Sequence, residues 1–192
     1  ISLDSAQSIL AANATPALDI RAQSLYLKAQ GSAGAAGSGQ ALDIGLDATG
    51  ELTADVGGDL HINSPARSLT VGRVNAGGNV VLSAEADIPS TVTRSLTIDG
   101  SVSAPGTINL ISGGKTVFTS RADVHAGVGD IELDVGALSM ADGSRLRSDL
   151  GSIDIETVGD AVITGIETGN TTGNAVRVVS TVGRILDGGD SR

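Results

Sequence analysis

Aromatic side chains are almost missing from this sequence of 192 residues. Tyr26 and Phe118 are present and tryptophan is absent. A compact chain of this length normally builds its core around several large rings. Here Val, Ile, Leu and Ala have to fill it, so the interior is expected to be narrow, repeated and close-fitting. Cysteine is also absent, which excludes a disulfide scaffold and a cysteine-ligated zinc site. No run of about 18 apolar residues occurs, so no membrane span is expected. Basic residues are scarce: 12 Lys and Arg against 22 Asp and Glu leave a net charge of −10. Nucleic acid is therefore an unexpected partner, because its binding rests on basic patches. Helical periodicity is missing throughout. No signal peptide is evident, and the chain starts at Ile1 rather than Met, which reads as a mature piece or an excised fragment.

What the sequence does have is 27 glycines and an internal repeat, the first thing to look for in such a chain. Leu69-Thr70-Val71 leads through Asn75-Ala76-Gly77-Gly78 into Val80-Val81-Leu82-Ser83. The same motif recurs at Leu96-Thr97-Ile98, Val117-Phe118-Thr119, Leu138-Ser139-Met140 and Val162-Ile163-Thr164, each followed by a turn and an alternating segment. The leading positions 69, 96, 117, 138 and 162 are 27, 21, 21 and 24 residues apart. A further copy opens at Ile185-Leu186-Asp187. Upstream, Leu18-Asp19-Ile20 and Leu42-Asp43-Ile44 are 24 apart, and Asp59-Leu60-His61-Ile62 is another copy of the strand after the glycines.

Each unit reads as three short strands, since apolar and polar residues alternate over three to six positions. Gly, Asn, Asp and Ser fill the turns, where positive φ or side-chain-to-backbone bonds are needed. Strands this short cannot stand alone, so equivalent strands of successive units must pair in parallel. The expected fold is all-β: a parallel β-helix (β-solenoid) of roughly eight to nine coils, right-handed by the general preference of parallel crossovers. At about 4.8 Å per coil the rod is roughly 40 Å long. Leu, Val and Ile should form inward ladders, with Ala76, Ala104 and Ala126 at tight corners, and no inward position should hold an unpaired charge.

The whole of 1–192 is expected to be one solenoid segment of a longer protein. Residues 31–40, rich in Gly, Ser and Ala, read as a flexible loop leaving one coil. Residues 85–94, which include Pro89, and residues 168–173 read as longer turns. Neither end looks capped, and open terminal coils favour pairing with flanking coils or end-to-end self-association.

For chemistry, Asp130, Glu132, Asp134, Asp154 and Glu156 alternate with Ile131, Leu133, Ile153 and Ile155, so they belong to outer faces. Glu132 and Glu156 are expected near each other on neighbouring coils, where an Arg or a cation must intervene. A polysaccharide lyase of the β-helix type would need a trio such as Arg121, Asp123 and Asp130, whose spacing is not distinctive. His61 and His125 are expected to face outward, about three units apart. No nucleophile elbow, phosphate loop or dinucleotide fingerprint is present. The calcium-binding nonapeptide is absent, Gly188-Gly189-Asp190 being a fragment of it. No catalytic residue, cofactor or resident metal is therefore assigned, and loosely bound calcium at Asp-rich turns stays open. Asn13-Ala14-Thr15 and Asn170-Thr171-Thr172 match the N-glycosylation pattern. A flat ice-binding face would need regular threonines; Thr70, Thr97 and Thr119 recur, but Ser139 and Ile163 interrupt the row.

The stretches SLTVGRVNAGGNVVLSAEADI and VVSTVGRILDGGD resemble the repeats of filamentous-haemagglutinin-like adhesins, the giant two-partner-secreted surface exoproteins of bacteria. The resemblance covers most of the chain, clearest from about Asp59 to Asp190, and is one of repeat style. It implies a right-handed β-helix shaft, export to the bacterial cell surface, and attachment to a host surface or to extracellular glycan or matrix. It brings no active-site residues. No secretion domain is evident, so the expectation is shaft rather than export signal. A self-assembling sheath or matrix filament is the alternative reading, and a lyase or hydrolase the second alternative.

Overall fold

The computed structural model describes residues 1–11, 18–37, 40–85 and 94–189. The described residues contain strands and no helix, and every strand pairing is parallel. Three ladders run along the rod. The first stacks β1 (Ser2–Ser5), β3 (Leu25–Ala29), β5 (Leu52–Val56), the end of β7 (Leu69–Ala76), β10 (Ser101–Ala104), β12 (Asp123–Ala126), β14 (Arg145–Ser148) and β17 (Gly165–Thr168). The second joins β6 (Leu60–Asn63), β8 (Val80–Ala84), the starts of β11 (Ile108–Phe118) and β13 (Ile131–Met140), β15 (Ile153–Thr157) and β18 (Val176–Ser180). The third links β2 (Ile20–Ala22) to β4 (Leu42–Leu46). It resumes from the start of β7 through β9 (Leu96–Ile98), the ends of β11 and β13, and β16 (Ala161–Ile163) to β19 (Ile185–Asp187).

Leu3, Leu27, Ala54, Val74, Val102, Val124, Leu146 and Ile166 thus stand one above another, making coils of 24, 27, 20, 28, 22, 22 and 20 residues. These seven turns, at about 4.8 Å each, make a rod of about 34 Å. The rod has fewer coils than dividing the length by the shortest repeat suggests, because the long coils spend residues on excursions rather than on rungs. Of the longer turn expected at 85–94, residues 86–93 with Pro89 lie outside the described residues, as do residues 38–39 of the loop expected at 31–40.

The interior is a stack of aliphatics, as expected. Ile108, Ile131 and Ile153 form one fully buried column and Leu82, Leu110, Leu133 and Ile155 its neighbour. Phe118 is wholly enclosed, whereas Tyr26 points outward. Ala76, Ala104 and Ala126 fill one corner, and where that column continues as Ser148 and Thr168, their hydroxyls donate to the carbonyls of Gly129 (2.9 Å) and Gly151 (2.6 Å). Each buried Leu or Ile contributes about 1.5–3 kcal/mol relative to an exposed one.

Two readings of register change. The copy read as starting at Val117 is displaced by one: Thr116 aligns with Leu96 and Leu138, so Val117 faces out beside Thr97 and Ser139. The extra residue sits at Gly113-Gly114, where the register shifts between Ser112 and Lys115. Thr116 is tolerated inside because its hydroxyl shares a 2.8 Å hydrogen bond with Ser112, whose own hydroxyl also lies 3.0 Å from the Gly114 carbonyl. Likewise Ala161, not Val162, takes the inward place above Leu138. A displacement of one residue exchanges faces, so the threonine row is Thr70, Thr97, Val117, Ser139 and Val162, and Thr119 instead donates to Asp99.

The loop assigned to 31–40 also begins later than its composition suggests. Ala33 is a buried rung bridging Ile9 and Leu60, and Gly31 and Ser32 bond to the coils on either side. The excursion starts at Gly34, whose positive φ (70°) directs the chain away, and it returns at Leu42 beside Ile62.

Of the two turn devices expected, positive φ occurs among the described residues only at Gly34, Gly37, Gly143 and Gly189. Elsewhere small polar side chains climb the corner before the second ladder. The backbone N–H of Ser32 donates to Ser8 Oγ (3.1 Å), that of Asp59 to Ser32 Oγ (3.0 Å), that of Asn79 to Asp59 Oδ1 (2.7 Å) and that of Thr107 to Asn79 Oδ1 (2.9 Å). Two coils higher, Ser152 N–H donates to Asp130 Oδ1 at 2.7 Å. Each bond satisfies a backbone donor that the bend takes out of the ladder.

Candidate functional site

Alternation places two columns of side chains on the outside of the second ladder. One reads His61, Val81, Asn109, Glu132, Asp154, Arg177; the other reads Asn63, Ser83, Ile111, Asp134, Glu156, Val179. The acids named from the sequence are therefore outward, with Glu132 opposite Asp154 and Asp134 opposite Glu156. The intervening cation is Arg177. Its Nη1 donates to Asp154 Oδ1 at 2.8 Å and to Glu156 Oε1 at 2.6 Å. Glu156 first, and then Asp154, raises the Arg177 pKa above its ordinary value. Asn109 Nδ2 donates to Glu132 Oε2 at 3.3 Å. The sequence calls for an Arg or a cation without naming one; the alternation of Val176 and Val178 with Arg177 is the signal that finds it.

The trio Arg121, Asp123 and Asp130 is dispersed among separate partners. Arg121 pairs with Asp99, whose carboxyl is held below its usual pKa first by the Thr119 hydroxyl and then by Arg121. Asp123 receives two bonds from Arg147, at 3.1 and 3.3 Å, and Asp130 accepts from Ser152. Asp160 is similarly lowered, by the backbone N–H of Arg184 and then by its guanidinium. The recurring device is an acid in one coil bonded to a donor in the next.

His125 faces outward, with Nε2 3.0 Å from Asp149 Oδ1. His61 has outward parity but is only 9 % exposed. The coil beneath leaves the ladder after Ala33, opposite Leu60, and rejoins it at Leu42, opposite Ile62. This burial lowers the His61 pKa, and nearby Asp59 only partly opposes the shift. The native state therefore favours neutral His61 while the unfolded chain binds a proton first. Stability should fall as pH drops below about 6.5, the ordinary value for histidine. Thermal melts at pH 7.5 and 5.0 check this: His61→Gln should show a smaller acid-side loss than the parent, and an unchanged loss would refute the assignment.

Among the described residues, no group of three or more His, Cys, Asp or Glu side chains is placed to hold a metal ion. No described helix is long and apolar enough to cross a membrane. Asn13-Ala14-Thr15 and Asp190 lie outside the described residues. Asn170 caps an exposed turn, its Oδ1 accepting from Thr172 N–H at 2.9 Å. Comparisons with protein-family models, with curated proteins and with solved structures give no match to the chain.

Proposed function

We propose that the chain is a stiff shaft segment of a large secreted bacterial surface adhesin or fibre. In this reading it lies outside the cell. Its partners are further coils of the same parent chain and, through that parent, a host surface or extracellular glycan or matrix. The observation that carries the proposal is the continuity of the stack. Inward aliphatics are backed by parallel backbone ladders, and outward pairs such as Arg147–Asp123, Arg184–Asp160 and Asn79–Asp59 tie each coil to the one below. Bending or stretching the rod breaks many such bonds together, which is what a spacer under load requires. Repeat stacks gain stability from each neighbour interface, so stiffness grows with coil number.

Pulling on the purified chain by its two ends in a force microscope tests this. A spacer holds to a threshold force and then yields in steps of one or more coils, each releasing roughly 20–28 residues at about 3.5 Å apiece. Smooth extension without a threshold would overturn the proposal.

A further inference from the structure

We propose that the outward face of the second ladder, over its last three coils, is a docking surface for an extended polypeptide segment of a partner protein, basic in its middle and apolar near its ends. This rests on the surface alone and is independent of the shaft reading.

The face is bordered by exposed aliphatic side chains. At the corner before the ladder stand Val128 and Leu150, 70 % and 63 % exposed. Their backbone N–H groups donate to Pro105 and Gly127 of the coils beneath, which puts them at equivalent places one coil apart. At the corner after the ladder stand Val158 and Val182, 58 % and 82 % exposed, joined by a 2.9 Å bond from Val182 N–H to the Val158 carbonyl. Along the rod, outward Ile111 and Val179 stand below and above. Single exposed aliphatics need no explanation; pairs on both sides of one face do.

Inside this border the charge is negative. Of the four carboxylates, Arg177 engages Asp154 and Glu156, and Glu132 has only the Asn109 amide. Among the described residues, no cation pairs with Glu132 or Asp134. The carboxylates, Ile111 and Leu133 line a shallow depression of about 360 Å³. Glu132 and Asp134 are two residues apart on one strand, about 6.6 Å, which is also the spacing of same-face side chains on any extended segment. The strand between the corners, Ile153–Thr157, runs five residues, about 16 Å, with Leu150 and Val158 in the turns on either side. A segment lying along it can present two basic side chains to Glu132 and Asp134 while its ends meet the aliphatics at both corners. Charge complementarity with a chain of net charge −10 favours such a partner and speeds its approach.

The probe is a fluorescein-labelled peptide, Leu-Val-Lys-Ser-Lys-Ser-Val-Leu, followed by anisotropy at 50 and 300 mM salt. Two further peptides replace its four apolar residues by Ser, or its lysines by Glu. The unaltered protein should bind the first peptide saturably, more weakly at high salt, and reject the glutamate version. Glu132→Gln with Asp134→Asn should weaken binding at least tenfold, and Glu167→Gln on the first ladder should not change it. Leu150→Ser with Val158→Ser should weaken the apolar-ended peptide at least fivefold and leave the serine-ended one unaffected. All of these side chains are outward, so melting curves should match the parent; if the carboxylate pair lowers the melt, Asp134→Asn alone gives the charge readout, and if the aliphatic pair does, Leu150→Ser alone gives the apolar one. No saturable binding at 50 mM salt, equal weakening by Glu167→Gln, or equal affinity for the serine-ended peptide would overturn the proposal.

Discussion

Ile131→Asp and Ile153→Asp should each lower stability by about 4 kcal/mol or more, seen as a fall of about 10 °C in the melting midpoint. Both side chains are fully buried and stacked on each other, with Ile108 below and Val176 above. A carboxylate placed there has no cation and no water. The chain must either protonate it or open the coil, and opening one coil removes the template on which its neighbours pair. Val81→Asp is the matched control. It introduces the same charge on the same ladder but at an outward position between His61 and Asn109, and should cost less than about 1 kcal/mol. Melting by circular dichroism decides the matter: if the three variants melt alike, the inward column is wrongly assigned.

The second large effect concerns glycine. Gly151→Ala should cost about 2–3 kcal/mol, whereas Gly113→Ala should change stability by less than about 0.5 kcal/mol. Neither residue has positive φ, so backbone freedom does not separate them. What separates them is the neighbouring coil. A Cβ on Gly151 would run into the Gly129 carbonyl, and one on Gly129 would in turn meet the backbone of Gly106 and Thr107. Ladder bonds beside this corner hold the coil spacing, so the backbones cannot move apart without losing them. Gly113 has open space where its Cβ would go. Urea unfolding of the two variants checks this, and equal midpoints would show that the corner yields and that close approach is not the constraint.

The glycines illustrate how far composition carries. Their abundance marks corners, but the sequence alone suggests positive φ as the reason, and the structure assigns most of them to close contact between coils. Similarly, the run of small residues at 31–40 looks like linker throughout. Only the stacking of Ala33 between Ile9 and Leu60 reveals that a rung precedes the excursion.

Alternation by itself determined the all-β character, the inward aliphatic columns and the outward placement of Glu132, Asp134, Asp154 and Glu156, and with the internal repeat it determined the parallel stacking. A period of two residues is a local property, and short strands with one apolar face leave few ways to bury it. The tertiary structure alone decided which residues lie above one another. One inserted residue at Gly113-Gly114 moves Thr116 inward, and His61 is buried despite its outward parity. The pairing of Arg177 with both Asp154 and Glu156, and the aliphatic border around them, depend on the same vertical register. Coils vary in length, so contacts between residues 20 to 28 apart are set by where each loop spends its extra residues, which local alternation does not encode.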